Sequence, residues 1–186
     1  MKITQIPKFV ASIFICLCAG VVGSFANAGN INTWYATLQK PVFNPPNWVF
    51  GPVWTILYIM IGIALYLVWQ KWKKDKFSRI VFVMFLIHLF VNAMWSVVFF
   101  GLHDIGKAFL VIIVLWLMII ALMFLFEKID RKATLLFVPY LLWVTFAAFL
   151  NFSIWELNSN SAINGQLNSD KLDIEMVEQA IQEEIV

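Results

Sequence analysis

Apolar residues fall in five long blocks, near 7–28, 48–70, 78–100, 106–126 and 133–155, and polar residues gather in the gaps between them. Each block reaches the roughly 17–25 residues that a helix needs to cross a bilayer. Inside lipid every backbone N–H and C=O must find its partner within the segment, which selects helices over open sheet. The pattern predicts an all-α fold, an integral membrane bundle of five transmembrane helices within residues 1–156. The connections at 101–106 and 127–132 are short, so successive helices should be antiparallel neighbours.

Two segments break the pattern. Residues 29–47 are rich in Gly, Asn, Thr and Pro and predict a true loop. Pro41, Pro45 and Pro46 stiffen it, because each fixes its own φ and restrains its predecessor. Asn47 is placed to cap the second helix, and Pro52 suits its opening turns. Long loops inside compact domains are either functional or disordered, and these prolines and aromatics argue for function. Residues 157–186 turn polar, and the Asn- and Ser-rich stretch 157–169 reads as a flexible linker. Six acids against Lys171 follow (Asp170, Asp173, Glu175, Glu178, Glu183 and Glu184). Ile174, Val177, Ala180, Ile181 and Ile185 make a stripe that predicts a short acidic amphipathic helix. Its charge disfavours anionic lipid, so the candidates for docking are a partner protein or the domain's own surface, with a solvated tail as the alternative.

Charge placement adds orientation. Ten of the 13 Lys and Arg lie on one side: Lys2 and Lys8; Lys71, Lys73, Lys74, Lys76 and Arg79; Lys128, Arg131 and Lys132. By the positive-inside rule the amino terminus is cytoplasmic and the 29–47 loop lies on the opposite side. The first block, ending Ala26-Asn27-Ala28, also fits a cleavable signal peptide, but its run from Phe9 to Phe25 is long for one, so a retained helix is expected. Gly20 and Gly23, with Ala19 and Ser24, suit close helix packing, either within the bundle or as a Gly20/Ser24 pair between copies. Cys16 and Cys18 stand on different helix faces, cannot pair with each other, and read as packing residues.

Only 13% of residues are charged against about 25% in soluble domains, and none lies deep in a spanning block. That argues against a proton relay or ion-coupled transport. Phosphate loops, paired catalytic carboxylates, metal clusters and nucleophile elbows are all missing from the sequence, and no nucleic-acid partner is expected. The blocks instead carry polar-edged aromatics at helical spacing. Gly51, Trp54 and Tyr58 share one face; His88, Asn92, Trp95 and Phe99 share another; Tyr140, Trp143, Ala147 and Asn151 share a third. Indole, imidazole and amide groups are costly in lipid without partners, so these faces should turn inward. Converging under a proline-stiffened loop, they would suit a flat apolar ligand with a few polar edges. The residues alone leave a pocket and simple aromatic packing equally open. Trp48, Trp69, Trp72 and Trp155 read as interfacial anchors. His88 by itself reads as a hydrogen-bonded core residue, though it could ligate a haem iron.

Three motifs sharpen this. The first is Trp34-Tyr35-x-x-Leu38-x-Lys40-Pro41-x-x-x-Pro45-Pro46-x-Trp48-Val49-Phe50-Gly51-Pro52-Val53-Trp54-Thr55-x-Leu57-Tyr58. The second is Asn92-x-x-Trp95-Ser96-x-x-Phe99-Phe100-Gly101-x-His103, and the third runs from Asp130-Arg131 through Pro139-Tyr140-Leu141-x-Trp143 to Asn151. In this order they resemble the TspO/MBR family, the tryptophan-rich sensory proteins related to the mitochondrial translocator protein, over most of residues 20–158. The resemblance implies a five-helix bundle, usually a homodimer, whose pocket is roofed by the first loop. It implies binding of protoporphyrin IX, haem or related tetrapyrroles and of isoquinoline carboxamide drugs, with no cofactor required and no metal site. It also implies, for some bacterial members, breakdown of protoporphyrin in light and oxygen. By motif, Tyr35, Pro45, Phe50, Trp54, Asn92, Trp95, Trp143 and Ala147 should line the pocket, with His88 where the family often has Gln. Trp54 and Trp143 match the tryptophans tied to the photochemical step. The competing reading is a non-catalytic carrier or scaffold for tetrapyrroles or membrane lipids, acting through a partner. Phe149 and Glu156 replace the Tyr and basic residue of the family's sterol motif, and Val111 stands where some relatives have an acid. Cholesterol transport is therefore not expected.

Overall fold

The computed structural model describes residues 5–73 and 75–184, with side chains as far as Asn160. Five helices are long and apolar enough to cross a membrane. They are α1 (Ile6–Asn27), α3 (Asn47–Gln70), α4 (Lys76–Ser96) with the π-helical turn Val97–Gly101 after it, α5 (Ile105–Glu127) and α6 (Arg131–Glu184). The short α2 (Trp34–Thr37) sits within the first loop. No strand occurs among the described residues. Lys2 and Lys74, two of the cations used to read orientation, lie outside them.

Three carboxylates start helices. Asp75 accepts from the Ser78 amide and Asp104 from the Lys107 amide, both at 2.8 Å, and Asp130 accepts from the Lys132 amide at 2.9 Å. Each satisfies an N–H that the first turn would leave open. Asn47 does not cap α3: it is the first helical residue, and Pro46 holds the cap position. The expected linker at 157–169 is also corrected, because α6 continues unbroken to Glu184. Polar residues tolerate a helix as readily as a coil, and no proline follows Pro139 to stop it. The apolar stripe expected at 174–185 concerns side chains outside the described set.

Two glycines set how α1 meets α3. A Cβ on Gly62 would stand 2.7 Å from the Ile13 Cα, and one on Gly20 would stand 2.6 Å from the Tyr58 ring. Gly20 is thus used within the bundle. At Gly51, nearer the loop, an added Cβ meets nothing within 4 Å. The two helices touch closely at Gly62–Ile13 and Gly20–Tyr58 and part toward the loop. Below that level the bundle is solid, filled by Ile61, Phe85, Ile119, Phe126 and Phe137. Cys16 is buried and Cys18 exposed, as their spacing requires.

Asp130 also ties the inner ends together, 3.0 Å from Lys71 Nζ. Burial would raise its carboxyl, but the Lys71 hydrogen bond, the Lys132 amide and both lysine charges outweigh that and lower it. A lowered carboxyl contributes stability above its unfolded value of about 3.9 and loses it as pH falls through the folded value. Thermal unfolding in detergent should therefore show stability declining below about pH 4 in wild type, and that decline should be weaker in Asp130→Asn. Asp130→Ala should cost about 1–2 kcal/mol through the lost cap, and Lys71→Ala under about 1 kcal/mol because Lys71 is exposed.

Candidate functional site

The parting of α1 and α3 leaves a cavity of about 760 Å³ in the loop-side half of the bundle. Its walls come from α1 (Leu17, Gly20, Ser24), α3 (Phe50, Trp54, Tyr58), the end of α4 with its π turn (Asn92, Trp95, Phe99, Phe100) and α6 (Ala147, Asn151). Tyr35 closes it from the loop. Among the described residues no charged side chain lines it. That size and apolar character fall in the usual range for small-molecule sites.

Trp54 is the hub of an aromatic ladder, 5.7 Å from Tyr58 and 6.4 Å from Trp95, with Trp95 5.5 Å from Phe99. The interplanar angles are 30° and 31°, so neighbouring rings tilt only modestly from one another, and all four line the cavity. Trp95 donates Nε1–H to Asn151 Oδ1 at 3.0 Å, and Asn151 donates to the Ile105 carbonyl at 2.9 Å. The indole is thereby fixed in orientation. The π turn, closed by Leu102 N–H on the Val97 carbonyl, presents both Phe99 and Phe100 to the cavity. Such wide turns gather at functional sites.

The loop is held down at several points. Tyr35 is buried against Phe99, and its hydroxyl donates to Asn44 Oδ1 at 2.8 Å. Burial pushes the Tyr35 phenol up to about 12 despite the opposing Asn44 bond, so it remains a neutral donor at ordinary pH. Trp34 stacks on His103 at 4.3 Å. His103 takes a positive φ of 56° and reaches Asn30 Oδ1 at 3.2 Å. Gln39 and Asn158 exchange hydrogen bonds at 3.1 and 3.0 Å, pinning the loop to α6. The side between α1 and α3 is not closed: Val21, Ser24, Trp48, Gly51 and Thr55 line the cavity and are all exposed.

A chain of hydrogen bonds runs from the wall into the core. Tyr58 donates to Asn92 Oδ1, Asn92 Nδ2 donates to the Tyr140 hydroxyl at 2.7 Å, and that hydroxyl meets His88 Nε2 at 2.9 Å. Tyr140 and His88 are fully buried.

Of the residues expected at the site, Tyr35, Phe50, Trp54, Asn92, Trp95 and Ala147 are brought together around the cavity. Pro45, His88 and Trp143 are not among its walls. Pro45 belongs to the loop's outer course, where its carbonyl accepts from Asn44. His88 lies one residue behind the wall, committed to Tyr140. Trp143 faces a separate apolar groove between α3 and α6, beside Val53, Met60 and Phe146. Its ring meets that of Phe50, a wall residue, 5.9 Å away. The α1 wall and Tyr58 were not singled out as ligand contacts by motif. The sequence signal for that wall was the small-residue run at Gly20, Gly23 and Ser24.

The TspO/MBR family model matches residues 12–156. The chain is 43% identical over 158 residues to the tryptophan-rich protein TspO of Archaeoglobus fulgidus, covering 83% of this chain and 99% of that protein. It is 37% identical to protein CrtK of Rhodobacter capsulatus, covering 83% and 94%. To the translocator protein of Ovis aries it is 34% identical, covering 82% and 92%.

Proposed function

This chain belongs to the TspO/MBR family and is an integral, multi-pass membrane protein, and from that premise we propose that it binds a tetrapyrrole, protoporphyrin IX or haem, in the cavity beneath the loop and acts as a sensor or regulator. The observation that carries this reading is the ladder of Tyr58, Trp54, Trp95 and Phe99 facing an uncharged chamber. Flat aromatic faces stack on a planar macrocycle, and the absence of charged walls among the described residues keeps its apolar body inside. Carboxylate edges of such a ligand would rest at the loop end of the cavity, among Asn27, Gly29, Asn32 and Asn47, the level nearest to water. Isoquinoline carboxamide drugs fit the same requirement of a flat body with one polar group. Relatives named tryptophan-rich sensory protein and translocator protein accord with a role in signalling or transfer.

Light-dependent breakdown of the ligand rests on Trp54, the member of the tryptophan pair that touches the cavity. The placement of Trp143 outside it favours the second reading, a carrier that binds without chemistry. The amino terminus is assigned to the cytoplasm, which puts the loop and the cavity in the opposite half of the membrane.

Titrating protoporphyrin IX into the purified full-length protein in detergent, with tryptophan fluorescence as readout, tests the reading. Saturable quenching at a fixed stoichiometry is expected, with displacement by an isoquinoline carboxamide. Quenching that rises without saturation, as it would in empty micelles, overturns it.

A further inference from the structure

The polar floor of the cavity has a direction. Tyr58 and Asn92 both line the cavity, and behind them stand Tyr140 and His88. Asn92 turns Oδ1 to Tyr58 and Nδ2 to Tyr140. A tyrosine hydroxyl carries one proton. Since Asn92 Nδ2 already donates to the Tyr140 oxygen, the Tyr140 proton points to the remaining partner, His88 Nε2. That nitrogen must then be the bare one, and the proton of the neutral ring sits on Nδ1. Each hydrogen bond of the chain thus runs away from the cavity: Tyr58 to Asn92, Asn92 to Tyr140, Tyr140 to His88. Tyr58, its one proton committed to Asn92, is left with lone pairs alone to offer a ligand at this edge.

We propose that His88 is a positioning residue that fixes this direction, so that the site selects flat apolar ligands carrying an N–H or O–H donor on the edge that meets the Tyr58 hydroxyl. The inference deepens the ligand-binding reading above and rests on the cavity being a binding site. The chain can run the other way only if its deep end stops accepting. With a proton on His88 Nε2, Tyr140 would donate to Asn92, the amide would turn over, and the Tyr58 proton would face the cavity. The floor would then prefer acceptors. His88 Nδ1 makes no hydrogen bond of good geometry among the described residues, although the Phe85 backbone one turn back interacts with the ring, so the ring is held chiefly through Nε2. The terminal acceptor, three links from the ligand, decides what the ligand must offer.

Carbazole and dibenzofuran test this, because they share one flat tricyclic shape and differ in presenting an N–H donor or a ring-oxygen acceptor. Wild-type protein in detergent should favour carbazole by roughly tenfold, about what one hydrogen bond is worth. His88→Leu, which removes the deep acceptor, should erase or reverse that preference. His88→Gln, whose amide oxygen restores an acceptor, should keep it. Tyr58→Phe should erase it from the cavity end. Independently, ¹⁵N NMR of ligand-free protein should show His88 protonated on Nδ1. A ring protonated on Nε2, or the same preference in wild type and a folded His88→Leu, would overturn the proposal. Binding of protoporphyrin IX without binding of either probe would overturn it while sparing the tetrapyrrole reading. Failure of all three to bind would overturn both, and the NMR measurement of the His88 tautomer in the wild-type protein keeps the proposal falsifiable should the leucine exchange unfold the bundle.

Discussion

Gly62→Leu is expected to lower the stability of the bundle by about 3 kcal/mol, the upper end of what overpacking costs, and to abolish saturable ligand binding. The reason is that the first atom added has nowhere to go. A Cβ at Gly62 lies 2.7 Å from the Ile13 Cα, and backbone, unlike a flexible side-chain tip, cannot step aside. The helix α1 must be pushed off α3, and α1 supplies a wall of the cavity. Gly51→Leu, the same exchange in the same helix, is the control, because an added Cβ there meets open space. Both variants gain helix propensity of up to about 1 kcal/mol over glycine. Thermal unfolding in detergent should therefore separate them: Gly51→Leu melts at or above wild type while its side chain narrows the site and weakens binding. Equal melting temperatures for the two would show that the α1–α3 contact is not tight.

The second large effect concerns the tryptophan pair. Trp54→Ala should weaken protoporphyrin IX binding by roughly thirtyfold, the loss of about 2 kcal/mol expected for a central aromatic anchor. Trp143→Ala should cost under about threefold, since Trp143 lies outside the cavity walls and meets the wall residue Phe50 from behind. Under illumination in air, Trp54→Phe should retain most binding yet lose most of any protein-dependent bleaching, because a phenyl ring gives up an electron far less readily than an indole. Trp143→Phe should bleach close to wild type. A larger effect at Trp143 than at Trp54 in either assay would mean that the ligand occupies the α3–α6 groove instead.

These contrasts show where the sequence was legible. The five spans were readable because lipid imposes one rule on every segment that crosses it. The stripes Trp54–Tyr58, Asn92–Trp95–Phe99 and Ala147–Asn151 were readable because polar-edged aromatics at helical spacing have little choice of direction. Trp143 escaped because it sits about 40° round the helix from Ala147 and about 80° from Asn151 at 3.6 residues per turn, enough to face α3 instead of the cavity they line. The α1 wall was hidden by its chemistry: Gly20 and Ser24 signal packing, and only the parting of α1 from α3 makes them line a space. The pairing of His88 with Tyr140 joins residues 52 positions apart, which no local pattern reports. The stretch 157–169 was misread because Asn and Ser suit a coil without forbidding a helix.

The gap between the loop-side halves of α1 and α3 has a consequence for how occupancy depends on conditions. Both helices cross the membrane, so the unsealed side faces acyl chains in one leaflet. A compound reaching the site that way is counted by its mole fraction in lipid, not by its molarity in water. In reconstituted vesicles, the total amount of an apolar ligand needed to half-fill the protein should rise in proportion to the lipid present. The bilayer then acts as the reservoir, and the membrane's own composition becomes part of what the protein reports.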